Sequence, residues 1–204
     1  MKKYLILLLI FLIFPTFSMA GKAPKSIAGF TLGDVLTKYK DKIIADSTLC
    51  VRYQNYLNEV EIIDLPGYKA GLICVGNCAD PGKIIRIKLK YQNSSKKFYN
   101  SLLKRFKKKF GKPDQWKGDA FGVVHAWKWS FTDEDGNKIS LTLQHNTEDR
   151  EMKMGNSVKL TMTSAIEKEK KCYKAQEERE LQRILESSPQ KTNAPPDWDM
   201  LIPR

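Results

Sequence analysis

Residues 123–163 constrain the fold more than any other part of the chain. Trp127, Trp129 and Phe131 alternate with Ala126, Lys128 and Ser130, the period of a strand with one apolar face. Asp133-Glu134-Asp135-Gly136-Asn137 follows, and Gly136 suits the left-handed position of a three-residue hairpin loop. Pairing Asp133 with Asn137 sets Phe131 opposite Ile139, Trp129 opposite Leu141 and Trp127 opposite Leu143. A slip of one residue would set Trp129 against Ser140 or Thr142, so burial selects the first register. The same register sets His125 opposite His145. Strands are therefore expected over 123–131 and 138–145, with a third over 157–163.

Upstream, the same period recurs. Residues 27–30 read as a short strand, and Thr31-Leu32-Gly33-Asp34 opens a short helix carrying Val35, Leu36 and Tyr39. Leu49, Val51 and Tyr53, then Val60 and Ile62, then residues 68–75 read as strands. Ile85, Ile87, Leu89 and Tyr91 alternate with Arg86, Lys88 and Lys90 in the clearest case. Between the two sets of strands lies an amphipathic helix. Its Phe98, Tyr99, Leu102, Leu103, Phe106 and Phe110 fall within an arc of about 140° at helical spacing. Ser94 and Ser95 can cap its start, and Gly111 with Pro113 marks its stop. The pattern predicts an α+β fold: an antiparallel sheet with one main helix packed on a face, plus a charged C-terminal helix. The helix is expected to cover Trp127, Trp129 and Phe131.

The two ends of the chain differ from this body. Lys2 and Lys3, the apolar run 4–14, Pro15 and Ser18-Met19-Ala20 have the three parts of a secretory signal peptide. Cleavage after Ala20 leaves Gly21 first, so a lipid-bearing cysteine is not supplied there, and no later run is long enough to span a bilayer. The expected division is a signal peptide at 1–20, an α+β domain at 21–165, a charged helix at 166–186 and a disordered tail at 187–204. The helix region holds six acidic and six basic side chains between Glu167 and Glu186 and reads as solvated. The expected location is periplasmic or secreted.

Export gives the four cysteines an oxidising compartment and makes them a disulfide framework. The first pairing is Cys78 with Cys172 and Cys50 with Cys74. The second is Cys74 with Cys78 and Cys50 with Cys172. Cys74 and Cys78 have no companion pair at similar spacing, so a zinc site is not indicated.

Charge supplies the most unusual feature. The chain carries 35 basic and 23 acidic residues, a net charge of +12. Residues 83–112 alone hold twelve basic side chains and no acidic one. Arg86, Lys88 and Lys90 on the strand, with Lys97, Lys104, Arg105 and Lys108 on the helix, form the expected anion- or partner-binding set. Read as one face, they suit anionic lipid, a cell-wall polyanion or an acidic protein. Export directs the charge away from nucleic acid.

Motifs for chemistry are missing. There is no G-x-S-x-G, H-E-x-x-H or G-x-G-x-x-G. Gly71 and Gly76 have phosphate-loop spacing, but Asn77-Cys78 stands where Lys and Ser or Thr are needed. No cofactor is implied. His125 and His145 form the candidate metal pair, with Glu148 or Asp149 as a third ligand; a polar pair at the end of the sheet is the plainer reading. Ala28-Gly29-Phe30-Thr31-Leu32-Gly33, together with Phe110-Gly111-Lys112-Pro113 before a Trp-rich strand, resembles uncharacterised exported bacterial proteins with small α+β domains. That resemblance implies an extracytoplasmic binding or interaction role and brings no catalytic residues. The expected function is a non-enzymatic exported module that binds an anionic surface or an acidic partner through its basic face. The alternative is a hydrolase or metal-dependent enzyme.

Overall fold

A computed structural model describes residues 22–146, 155–187, 197 and 201. The expected signal peptide, most of the expected tail, Glu148 and Asp149 lie outside these residues. The fold is α+β, as the periodicities predict. A small hairpin, β1 (Ser26–Ile27) and β2 (Phe30–Thr31), comes first. Eight antiparallel strands then form one sheet: β3 (Leu49–Val51), β4 (Gln54–Glu61), β5 (Tyr68–Gly76), β6 (Ile84–Tyr91), β7 (Gln115–Trp116), β8 (Val124–Thr132), β9 (Lys138–Asn146) and β10 (Gly155–Met162). Their order, β3-β4-β5-β6-β10-β9-β8-β7, joins two meanders through β6 and β10 at the centre. Helix α1 (Lys96–Phe110) crosses from one meander to the other, and α2 (Thr163–Ser187) follows β10.

The register of the β8–β9 hairpin is the one burial selects. Phe131 faces Ile139, Trp129 faces Leu141, Trp127 faces Leu143 and His125 faces His145. Asp133 and Asn137 close the loop, with Gly136 at φ 79°. Lys25 reaches the Asp133 carboxylate at 2.9 Å, and that hydrogen bond holds the Asp133 pKa down at about 2.

Helix α1 begins where Ser95 Oγ accepts the Phe98 N–H and ends at Gly111, φ 80°. Its apolar arc lies on the front of the sheet. Phe106 packs on Trp129 and Phe110 on Phe131, and the Trp129 indole donates to the Gly111 carbonyl at 2.9 Å. Ile73, Ile87, Leu89, Leu141, Leu143, Val158 and Leu160 complete that core. A bulge in the β5–β6 pairing turns Ile85 to the back, where it packs with Leu57, Cys74 and the start of α2.

Three local expectations are corrected. Residues 27–30 are not one strand: β1 and β2 are joined by a turn at Ala28 and Gly29, both at positive φ. Tyr53 is likewise a turn residue, φ 62°, not the end of β3. The short helix is a 3-10 segment, Leu36–Lys42, whose Tyr39 donates to Asp34 at 2.7 Å.

The first cysteine pairing is half right. Cys78 and Cys172 form a disulfide across 94 residues. Cys50 and Cys74 are both free. β4 lies between their strands, with Cys50 facing Asn58 and Cys74 facing Glu59. Two strand spacings are about 9.5 Å, beyond the roughly 7 Å that a disulfide spans. Burial raises the Cys74 thiol to about 12, which leaves it unreactive. The second pairing is excluded by the Cys78–Cys172 bond.

The helix expected to be solvated apart from a thin stripe of Ile166, Tyr173, Leu181 and Ile184 also buries a charged residue, Glu169. Its carboxylate accepts the backbone N–H groups of Asn77, Cys78, Ala79 and Asp80 at 2.6–3.2 Å. Gly71 and Gly76 both lie in β5, and it is the turn after Gly76 that cradles an anion, one that is the protein's own. A β-carbon at Gly76 would collide with this carboxylate. No helix of the described residues is long and apolar enough to cross a membrane.

Candidate anion-binding face

The basic set read as one face is divided by the sheet. Ile87 and Leu89 point forward into the core under α1, so Arg86, Lys88 and Lys90 point to the back. Lys97, Lys104 and Lys108 project from α1 on the front, all exposed. Arg105 flanks a narrow cavity between α1 and β1 with Ser26, Tyr91 and Leu102. The strand and helix cations therefore cannot meet one flat ligand together.

What the sheet does bring together is a second basic group that sequence order conceals. Lys88 on β6 faces Lys159 on β10, Lys159 faces Thr142 on β9, Thr142 faces Lys128 on β8, and Lys128 faces Gln115 on β7. The next row runs Arg86, Thr161, Ser140 and Ser130. On the other side runs Lys90, Ser157, Gln144 and Ala126, with Lys117 at the edge. Cations and hydroxyls thus line the back of four strands, β6, β10, β9 and β8. Alternation in each strand carries this signal, but assembling it needs the strand order.

Lys159 registers the crowding. Its ammonium is held below the usual lysine range, first by desolvation and then by repulsion from Arg86, Lys88, Lys128 and Lys117. At one end of this face Arg86 has a carboxylate nearby, Glu59 at 3.9 Å. A shallow cavity of about 330 Å³ lies where α2 leaves β10, with Lys128, Lys138, Ser130, Ser140, Thr132 and Thr163 in its wall. Beside Ser140, the buried Thr161 Oγ1 has no hydrogen-bond partner among the described residues. Ammonium groups and hydroxyls are donors suited to oxyanions.

The histidine pair sits on the front. The rings of His125 and His145 lie 6.2 Å apart, nearly parallel. The Asn156 amide donates to the carbonyls of Asn93 at 2.7 Å and Ser95 at 3.0 Å. Its oxygen is therefore the atom facing His145 Nδ1 at 2.8 Å, which puts the proton of neutral His145 on Nδ1. Tyr99 stacks on the same ring. Among the described residues no third His, Cys, Asp or Glu converges on the pair to complete a metal set. His145, with Asn156, joins the start of α1 to the sheet.

Family models, curated proteins and solved structures give no match to this chain.

Proposed function

We propose that the protein is an exported, non-catalytic binding module whose open sheet face holds an extended polyanion of the cell-wall class. The observation that carries the reading is the direct opposition of Lys88 and Lys159, with Lys128 in the same row and no acid between them. Like charges directly opposite on neighbouring strands destabilise a sheet. A bound anion reverses the sign of that term.

The cations of α1 call for less explanation. Lys107, Lys108 and Lys109 occupy its last turn, where the helix dipole favours positive charge. Neighbouring strands stand about 4.8 Å apart, so the row on the sheet sets three ammonium groups along a line, with the Thr142 hydroxyl between the second and the third. That geometry suits repeated phosphates or carboxylates better than a single small ion. Export rests on the N-terminal signal pattern, and the Cys78–Cys172 disulfide fits an oxidising compartment.

Titration calorimetry with long-chain polyphosphate tests the reading. Binding that weakens steeply with salt is expected, and the double variant Lys88→Gln/Lys159→Gln is expected to lose most of it. Lys97→Glu/Lys104→Glu/Lys108→Glu is expected to lose less. The opposite ranking, or binding insensitive to salt, would overturn the sheet-face assignment.

A further inference from the structure

The β7–β8 hairpin carries a feature that the sheet-face reading does not use. Phe121 at its tip is 91% exposed, and Trp116 at its base is 41% exposed. An exposed phenyl ring at a floppy tip would be unremarkable, but this tip is built. The Asp119 carboxylate accepts the N–H groups of Phe121 at 2.8 Å, Val123 at 3.1 Å and Val124 at 2.5 Å. The Asp119 N–H in turn donates to the Val124 carbonyl, and Gly122 makes the turn at φ 71°. Gly118 leaves room for the Trp116 ring, which a β-carbon there would strike. The tip therefore presents Phe121 on a turn in which the N–H groups of Asp119, Phe121, Val123 and Val124 are met from within. Backbone groups satisfied in this way can leave bulk water without the cost of orphaned donors.

The surroundings are aromatic and basic. Trp116 packs edge-on against Trp127 at 4.8 Å and against His125 at 5.7 Å. Lys107 of α1 places its ammonium 5.5 Å from the centre of the Trp127 ring. Lys96 lies eleven residues earlier, about 20° from the direction of Lys107 at helical spacing, so both occupy the flank that faces these rings. The acid of the turn, Asp119, is occupied by the three N–H groups. Indole rings favour the headgroup region of a bilayer, where one part of the ring is wet and the other dry, and lysines beside them match anionic headgroups.

We propose that this hairpin seats the protein on an anionic phospholipid bilayer, with Phe121 entering the interface, Trp116 at headgroup depth and Lys96 and Lys107 on the phosphates. The site is separate from the lysine row of the sheet and stands or falls without it.

Flotation with vesicles of equal parts phosphatidylcholine and phosphatidylglycerol reads the outcome. Phe121→Ser is expected to weaken binding about tenfold, the worth of burying one such ring. Its thermal midpoint should match the parent, because the ring is exposed. Lys96→Gln/Lys107→Gln is expected to erase the preference over vesicles of phosphatidylcholine alone. Phe121→Trp provides a direct reading: its emission should shift to the blue with the mixed vesicles and be quenched by brominated acyl chains. Three results would each overturn the proposal: vesicle binding unchanged by Phe121→Ser, absence of vesicle binding by the parent, or no blue shift when the Phe121→Trp variant is bound to vesicles. Polyphosphate binding should be unaffected by Phe121→Ser, so failure here and failure of the sheet-face reading are told apart.

Discussion

On the front of the sheet, β5, β6, β8, β9 and β10 turn Ile73, Leu89, Trp129, Leu141 and Val158 toward α1. On the back, the central strands turn Lys88, Lys159, Thr142 and Lys128 to solvent or partly so. The backbone ladder is shared, so the difference lies wholly in alternate side chains. The front contributes stability by burying apolar area, at roughly 25 cal/mol per Å². The back does so only where the start of α2 packs on Leu57, Cys74 and Ile85, and its lysine row carries mutual repulsion. A face that costs stability where neutral residues would not is the part of this molecule whose composition asks for a ligand.

The largest expected effect comes from breaking the front. Trp129→Ala removes a ring that is 1% exposed and the indole bond to Gly111 that holds the end of α1. A loss of about 3–5 kcal/mol is expected in urea unfolding. Lys128→Ser, one residue away on the other face, should change stability by less than about 0.5 kcal/mol. Equal losses from the two variants would mean that the faces do not divide labour as described.

Next in size is the clamp at one end of the back face. Cys172→Ser opens the disulfide that closes 94 residues and is expected to cost about 2–5 kcal/mol. Glu169→Gln keeps one acceptor but turns an amide N–H toward the donor-rich loop. A cost on the order of 1–3 kcal/mol should follow, measured by the same unfolding. If both changes leave the midpoint unmoved, α2 is not held to the body by these bonds.

The front was legible in the sequence and the back was not, for a physical reason. Trp129, Leu141 and the loop at Gly136 are close in the chain, so period and turn chemistry fix their pairing locally. Cys50 and Cys74 also looked pairable, both being on strands, but the strand that separates them decides the matter. Lys88, Lys128 and Lys159 lie far apart in sequence and become neighbours only because β10 inserts beside β6. Reading residues 83–112 as one basic surface failed because a strand and the helix covering it point their charges in opposite directions. Glu169 was hidden for a related reason: its four partners lie about ninety residues earlier, in a loop.

The smallest effect is also the one that separates a ligand face from an ordinary solvated one. Lys159→Gln removes the central cation of the row and leaves a polar side chain of similar reach. In the folded protein this ammonium has a lowered pKa, so the unfolded chain binds its proton more readily. The sign follows: charged Lys159 weakens the fold at neutral pH, and that penalty fades as pH rises from the lowered value toward the ordinary lysine value of about 10.4. Lys159→Gln should therefore be slightly more stable than the parent at pH 7, by a few tenths of a kcal/mol for one opposed pair. The two proteins should converge in stability as pH approaches about 10. Polyphosphate affinity should move the other way, lower in the variant at pH 7. A variant that is less stable at pH 7 would show Lys159 to be supported by its neighbours, and the back face would lose its claim to be held open for an anion.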